Sequence, residues 1–209
     1  MEYFLKVAEI AKKTLDALPI ALTPQPLDYS LNFLEGKIDE IRKDVVVEME
    51  KINFSKKDQK NLDIAIGLNT VGMLLDRFTI LLVKEWCIRN KNSNPEKADL
   101  LFETQTKEII KALDESNKGY SSVNSKITNI QVNVNANSWE EAFFELFFIN
   151  LKLWESQEVL YIKDISKLPA EELRDYIKWF ANGNMQRNVL IEIADNYFWQ
   201  KYELQNSKA

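Results

Sequence analysis

Polar side chains interrupt three otherwise apolar helical stretches of this chain, and these are the residues most able to do chemistry. Polar groups on a core face cost free energy unless they are paired. Three such groups in a chain of 209 residues therefore predict either an internal hydrogen-bond network or a ligand site. The candidate ligand-binding residues are Asp76, Asn150, Trp154, Glu158, Asn184, Arg187 and Asn188.

The residue types indicate how such a site would work. The guanidinium of Arg187 offers paired N–H donors that suit a phosphate or another anion. Asparagine amides orient hydroxyls or amides, and carboxylates accept hydrogen bonds or hold a divalent ion. We expect six of the side chains to converge between three helices. These six are Asp76, Asn150, Glu158, Asn184, Arg187 and Asn188.

Each candidate also has a purely structural interpretation. Asp76 lies on a helical face about 100° from the main apolar stripe, which is typical of a boundary face where a carboxylate pairs with a nearby Lys or Arg. Core packing is the better interpretation of Trp154. Asn184 and Asn188 are poor helix-interior residues, so they indicate a specific requirement. The alternatives are a ligand or metal site, a hydrogen-bond network that fixes helix register, and plain surface.

Two carboxylate pairs are candidates for a metal site. Each pair has a one-turn spacing that places both members on one helix face. The chain has no His and one Cys, so a metal site must be built from carboxylates, amides and water, which suits Mg²⁺ or Mn²⁺. No other cofactor is indicated. The candidate metal ligands are Glu155, Glu158, Glu192 and Asp195.

The overall composition excludes some functions and locations. A net charge of −5 and a pI of about 5.1 argue against a general nucleic-acid binder or an anionic-membrane binder. The single cysteine, Cys87, cannot form an internal disulfide and is expected to be a core residue in a reducing compartment. No signal peptide or membrane span of ~18 apolar residues is expected, so the predicted location is the cytoplasm.

The elements that must position these residues are helices. Five Gly and five Pro leave long uninterrupted stretches with helical periodicity. We predict an all-α, single-domain, antiparallel bundle of about six helices. An N-terminal helical pair (1–54) is expected to pack on a core bundle (55–209), with one Asn/Ser-rich loop at 117–137. The predicted helices are 2–18, 28–53, 55–90, 95–116, 138–163 and 169–204.

Two smaller features carry predictions of their own. Gly183, inside the last helix, marks either a bend or a close helix–helix contact. The aromatic cluster near the C-terminus is expected to pack in the core or in an interface. A homodimer follows if these aromatics are exposed. The cluster consists of Tyr197, Phe198, Trp199 and Tyr202.

Three motifs together resemble a known type of family. They are Asp76-Arg77-x-x-Ile80-Leu81-x-x-Lys84, Asn150-x-x-Leu153-Trp154 with Glu158, and Asn184-x-x-Arg187-Asn188-x-Leu190-Ile191-Glu192 with Asp195. Their order resembles uncharacterised bacterial all-helical families, domains of unknown function often encoded beside glycosyltransferases in surface-polysaccharide clusters. The resemblance covers roughly 64–90 and 145–196. It implies a site, with a phosphorylated or nucleotide-sugar-like ligand, but no reaction.

The chain departs from that pattern at two places where carboxylates are common. Gln157 and Val189 remove those carboxylates, which weakens a metal-site interpretation. A second resemblance is to all-α nucleotide pyrophosphohydrolases, whose Glu-x-x-Glu and Glu-x-x-Asp helices bind magnesium against a triphosphate. The spacing between the pairs is longer here. Three hypotheses remain: a small-molecule binder, a structural or interaction scaffold, and a metal-dependent pyrophosphohydrolase.

Overall fold

The chain folds into α-helices. The computed structural model describes residues 2–22, 32–52, 70–115, 134–162 and 164–207. They include a short 3₁₀ helix, Ile165–Lys167. The predicted all-α bundle is confirmed, whereas the antiparallel directions stay a prediction. The α-helices are α1 (Glu2–Ala17), α2 (Leu34–Glu50), α3 (Val71–Asn90), α4 (Pro95–Glu115), α5 (Trp139–Ile162) and α6 (Ala170–Ser207).

Two helices begin where their capping residues predict. At α4, the side-chain oxygen of Asn94 accepts a hydrogen bond from the Lys97 N–H at 3.0 Å. At α5, the Ser138 hydroxyl accepts from the Glu141 N–H at 3.2 Å, while the Glu141 carboxylate accepts from the Asn137 N–H at 2.7 Å. These side chains satisfy N–H groups that have no partner within the helix.

The predicted continuous helix from 55 to 90 is wrong at its start. Thr70 has an extended backbone, with ψ of 165°, and its side chain accepts a hydrogen bond from the Met73 N–H. It is therefore the N-cap of α3, and the helix begins at Val71. The apolar spacing runs on through Ile64 and Leu68, which hid this boundary. Residues 53–69, with the predicted domain boundary at 54/55, lie outside the described residues, as does most of the predicted loop (117–133).

One hydrophobic core joins all six helices. Its centre is α5, where Phe143, Phe144, Phe147 and Phe148 are all buried. Such burial all round a helix is typical of a central element. The single continuous core is what the single-domain prediction requires. Within the described ranges, no helix combines the length and apolar character that a membrane-spanning helix needs.

Phe198 of the C-terminal aromatic cluster packs inward, and the side chain of Tyr202 lies outside the described residues. The ring of Phe198 stacks on Phe4 at 6.1 Å between centroids and meets the edge of Trp139 at 5.5 Å. Phe198 is buried, and Tyr197 and Trp199 are partly buried. The expectation that the cluster packs in the core or in an interface is therefore confirmed for Phe198, whose ring closes the core between α1, α5 and α6. The homodimer stays a prediction, and the buried ring of Phe198 gives it no support.

Two glycines allow close approach between helices. A Cβ at Gly72 would overlap the backbone carbonyl oxygen of Ile191, so α3 and α6 touch there through their main chains. A Cβ at Gly183 would lie 3.0 Å from a side-chain methyl of Leu153 on α5. Gly183 thus lies at a close contact within a continuous α6.

These two glycines should respond differently to alanine. Gly72→Ala should destabilise the protein by about 1–3 kcal/mol, since backbone atoms cannot move aside without separating two helices. Gly183→Ala should change stability by less than about 1 kcal/mol, because the Leu153 side chain can adjust and alanine is the better helix former. Urea denaturation of both variants checks this, and equal losses would contradict it.

Candidate functional site

A salt bridge between α3 and α6 occupies the centre of the predicted site. Arg187 donates from Nε to Oδ1 of Asp76 at 2.7 Å and from a terminal nitrogen to Oδ2 at 2.5 Å. This is the bidentate geometry of a strong charge-assisted pair. Asp76 is 5% exposed, so its charge depends on this partner.

The third helix joins the same carboxylate. The Asn150 amide, on α5, donates to Oδ1 of Asp76 and to the hydroxyl of Thr79, both at 2.9 Å. The Thr79 hydroxyl donates to the backbone carbonyl of Asp76 at 2.9 Å. Asn150 and Thr79 are buried. We call Asp76, Thr79, Asn150 and Arg187 the Asp76 network.

The Asp76 network is closed. Hydrogen bonding to Asp76 raises the pKa of Arg187 above its ordinary value, so the guanidinium stays charged. Its paired donors, which the sequence assigned to an anionic ligand, are directed at Asp76 instead. The structural interpretation of Asp76 is confirmed in its pairing with an arginine, but its face is not a solvated or boundary face, because Gly72, Thr79 and Val83 are buried with it.

Glu158 and Trp154 belong to a different cluster. The ammonium of Lys91, just after α3, lies 2.6 Å from Glu155 and 2.7 Å from Glu158. The Trp154 indole donates to Glu158 at 3.0 Å. We call Lys91, Trp154, Glu155 and Glu158 the Lys91 cluster. It lies fifteen residues beyond Asp76, roughly 22 Å along the helix axis, so the predicted convergence of Glu158 with Asp76 is wrong.

Burial governs the charges of the Lys91 cluster. The side chains of Lys91 and Glu155 are 6% and 2% exposed. Burial raises the pKa of Glu155, and the nearby ammonium only partly opposes this. Burial lowers the pKa of Lys91, but the charge of Glu155 and the hydrogen bonds to Glu155 and Glu158 more than offset it, so that pKa is raised. Cys87 is buried nearby as predicted, and burial raises the pKa of its thiol to about 12.

Asn184 and Asn188 do not reach the Asp76 network. Asn184 is exposed, and its amide donates to the backbone carbonyl of Phe180 at 2.9 Å, one turn earlier in α6. Asn188 is partly buried and makes no side-chain hydrogen bond with another described residue. The structure therefore brings together Asp76, Asn150 and Arg187, but not the other three of the six.

The two carboxylate pairs lie at opposite ends of α3. Asp195 accepts a hydrogen bond from the Gly72 N–H at 3.0 Å, whereas Glu155 and Glu158 contact Lys91. Nineteen residues separate Gly72 from Lys91, roughly 28 Å along the helix. Among the residues that the structure describes, no three acidic or cysteine side chains are grouped to hold a metal ion. Glu192, Asp195, Glu155 and Glu158 therefore do not form a shared Mg²⁺ or Mn²⁺ site.

Comparison with known proteins gives no further assignment. No protein family model, no curated protein and no solved structure matches this chain. The resemblance to polysaccharide-cluster families and to pyrophosphohydrolases stays a prediction.

The outer face of α3 carries two basic residues that were not predicted as ligand-binding residues. Arg77 and Lys84, seven residues apart, line a cavity of about 420 Å³ between α3 and α4. Neither makes an ion pair or a side-chain hydrogen bond among the described residues. The sequence contains one indication of this surface, because the spacing of Arg77, Ile80, Leu81 and Lys84 places them on one helix face. This α3–α4 groove is lined by Leu74, Arg77, Ile80, Leu81, Lys84, Gln105, Glu108, Ile109 and Ala112.

A larger cavity of about 560 Å³ lies among α2, α5, α6 and the segment before α5. Its basic residues already have partners. Arg42 pairs with Asp39 at 2.6 Å and also with Glu145, and Lys152 pairs with Glu35 at 2.8 Å. Because its cations are paired with carboxylates, this cavity attracts an anionic ligand less strongly than the α3–α4 groove does.

Proposed function

We propose that this chain binds a small anionic molecule, phosphorylated or nucleotide-sugar-like, in the α3–α4 groove. The observation that carries the proposal is a pair of cations, Arg77 and Lys84, that line one cavity from the same face of α3 and make no ion pair with any residue that the structure describes. Arginine offers a planar fork for phosphate oxygens, and lysine adds a compact positive charge. The predicted ligand class is retained, and the site moves from the inner face of α3 to its outer face.

The Asp76 network supports this proposal indirectly. Asp76 points into the bundle and Arg77, its neighbour, is exposed. The salt bridge to Arg187 and the hydrogen bond from Asn150 hold α3 from behind. A binding face on a helix fixed in this way loses little conformational freedom when the ligand binds.

A second candidate function is an interaction scaffold. Closure of the Asp76 network favours it, because every member pairs with another member, as expected for residues that fix helix register. The pyrophosphohydrolase hypothesis gains no such support. Glu155 and Glu158 contact Lys91 at one end of α3, whereas Asp195 contacts Gly72 near the other end.

Thermal melting tests the proposal. Inorganic phosphate, pyrophosphate, ATP and UDP-glucose would be added, with and without Mg²⁺, to wild type and to an Arg77→Ala/Lys84→Ala variant. A ligand at 100 times its dissociation constant adds about 2.7 kcal/mol, which raises Tm by roughly 5–10 °C. We expect that shift in wild type and not in the variant.

A charge-matched control makes the result specific. Lys107→Ala/Lys111→Ala removes the same charge from exposed positions of α4 that do not line the groove. It should keep the wild-type shift. A shift that survives loss of Arg77 and Lys84, or no shift with any anion, would contradict the proposal and leave the scaffold as the better candidate.

A further inference from the structure

We infer that the ligand of the α3–α4 groove is amphipathic, a phosphate monoester that carries a linear apolar chain. The inference rests on the proposed function and specifies the ligand of the same site. The decisive juxtaposition is an apolar floor beside two cations that have no ion-pair partner in the described part of the chain. The floor is formed by Leu74, Ile80, Leu81, Ile109 and Ala112.

The floor and the rim have different chemistry. Leu74 and Leu81 are buried, and Ile80, Ile109 and Ala112 are partly buried, so together they offer an apolar surface. From Leu74 to Lys84 the groove follows ten residues of α3, roughly 15 Å. A cavity of about 420 Å³ is within the usual range for a small-molecule site, 300–1,000 Å³ in order of magnitude.

The few polar groups in the lining limit what the ligand can be. Apart from the two cations, only Gln105 and Glu108 supply polar side chains to it. A ribose or hexose has several hydroxyls, which would lose water on this floor without finding partners, and that costs free energy. An alkyl chain has no hydroxyls that would lose water, and its transfer out of water lowers the free energy. Within the proposed ligand class, the lining therefore favours a phosphorylated alkyl compound over a nucleotide-sugar.

The charges place the head group. Glu108 lies on the α4 side and repels an anion, whereas Arg77 and Lys84 lie on the α3 side. The phosphate is therefore held at the α3 rim, and the chain lies along the floor toward Ile109 and Ala112. One soluble molecule fills the groove; a membrane surface cannot place a chain between two packed helices.

Calorimetric titration with butyl, hexyl and octyl phosphate, each below its micelle concentration, tests the inference. Each added methylene that becomes buried should tighten binding roughly threefold to fourfold. The matching alcohols should bind at least tenfold more weakly than the phosphates. Loss of Arg77 and Lys84 together should weaken every phosphate at least tenfold.

Two variants test the floor without touching the cations. Ala112→Trp fills the groove, and Ile80→Asn makes its floor polar. Both positions are partly exposed, so the fold should tolerate them, and circular dichroism checks this. Both should remove the chain-length dependence while binding of inorganic phosphate persists. Leu100→Trp, at a 68% exposed position of α4 outside the groove, is the matched control and should behave as wild type.

The outcomes separate the two proposals. If inorganic phosphate, pyrophosphate, ATP, UDP-glucose and every alkyl phosphate all fail to bind, the proposed function fails. If anions bind through Arg77 and Lys84 with no effect of chain length, or with an effect that Ala112→Trp and Ile80→Asn leave intact, the amphipathic ligand is overturned and the proposed function stands. Binding only to vesicles that contain the phosphates would also overturn it.

Discussion

Arg187→Ala should destabilise the protein by about 3–5 kcal/mol, because it leaves the carboxylate of Asp76 buried without its counterion. Asp76 is 5% exposed, and Asn150 alone cannot neutralise it. Equilibrium urea denaturation at pH 7 measures the loss as a lower midpoint with an unchanged slope.

Arg77→Ala is the matched control for this prediction. Arg77 is next to Asp76 in sequence but is exposed and makes no ion pair within the described ranges, so its loss should change stability by less than about 0.5 kcal/mol. The Arg77→Ala/Lys84→Ala variant should lose the ligand but keep its stability, whereas Arg187→Ala should lose stability. Similar stability losses for Arg77→Ala and Arg187→Ala would mean that the Asp76 network is not what holds α3.

A double-mutant cycle isolates the pair itself. Combining Asp76→Ala with Arg187→Ala removes both charges, so the double variant should lose clearly less than the sum of the single variants. Additive losses would show that the two side chains do not stabilise each other.

Lys91→Met should be equally severe at neutral pH, with a loss of about 3–5 kcal/mol. It removes the only cation in the Lys91 cluster and leaves Glu155, 2% exposed, and Glu158 facing each other. Adding Glu155→Gln should recover a large part of the loss. Lys167→Met is the control, since Lys167 is 81% exposed and pairs only with the exposed Asp164.

The sign of the pH dependence follows from Glu155. Its pKa is raised in the folded protein, so between its unfolded and folded pKa values the folded state binds more protons and stability falls as pH rises. Loss of Lys91 removes an interaction that lowers the pKa of Glu155. The pKa of Glu155 in the folded state then rises further, and the pH range over which stability falls becomes wider. The destabilisation of Lys91→Met should therefore be smaller at pH 5 than at pH 8. Urea midpoints at the two pH values decide this, and a larger loss at pH 5 would contradict the role assigned to Glu155.

The sequence predicted helix positions well where chemistry marks the ends. Asn94 and Ser138 signal helix starts by side-chain capping, and both starts are confirmed. Thr70 was missed because the apolar residues before it keep a helical period, so nothing in the pattern marked a break. Periodicity describes which side of a helix is buried, but it does not show where the backbone leaves the helix.

The Asp76 network was predictable for a physical reason. Polar residues within strongly apolar helices need partners, so Asp76, Asn150 and Arg187 had few partners other than one another. Lys91 was not predictable, since a lysine at a helix end resembles a solvated one and its burial depends on how α5 packs. Arg77 and Lys84 were not predicted as site residues, because sequence does not show whether a charge is paired.

The contacts that hold α3 in the bundle also fix its length. The Gly72 N–H contacts Asp195 near one end, Asp76 contacts Asn150 and Arg187 one turn later, and Lys91 contacts Glu155 at the other end. Inserting or deleting one residue between Asp76 and Lys91 would rotate the rest of the helix by about 100°. The Asp76 network and the Lys91 cluster could then not form together. The number of residues between these two positions therefore cannot change without breaking one of the two sets of contacts.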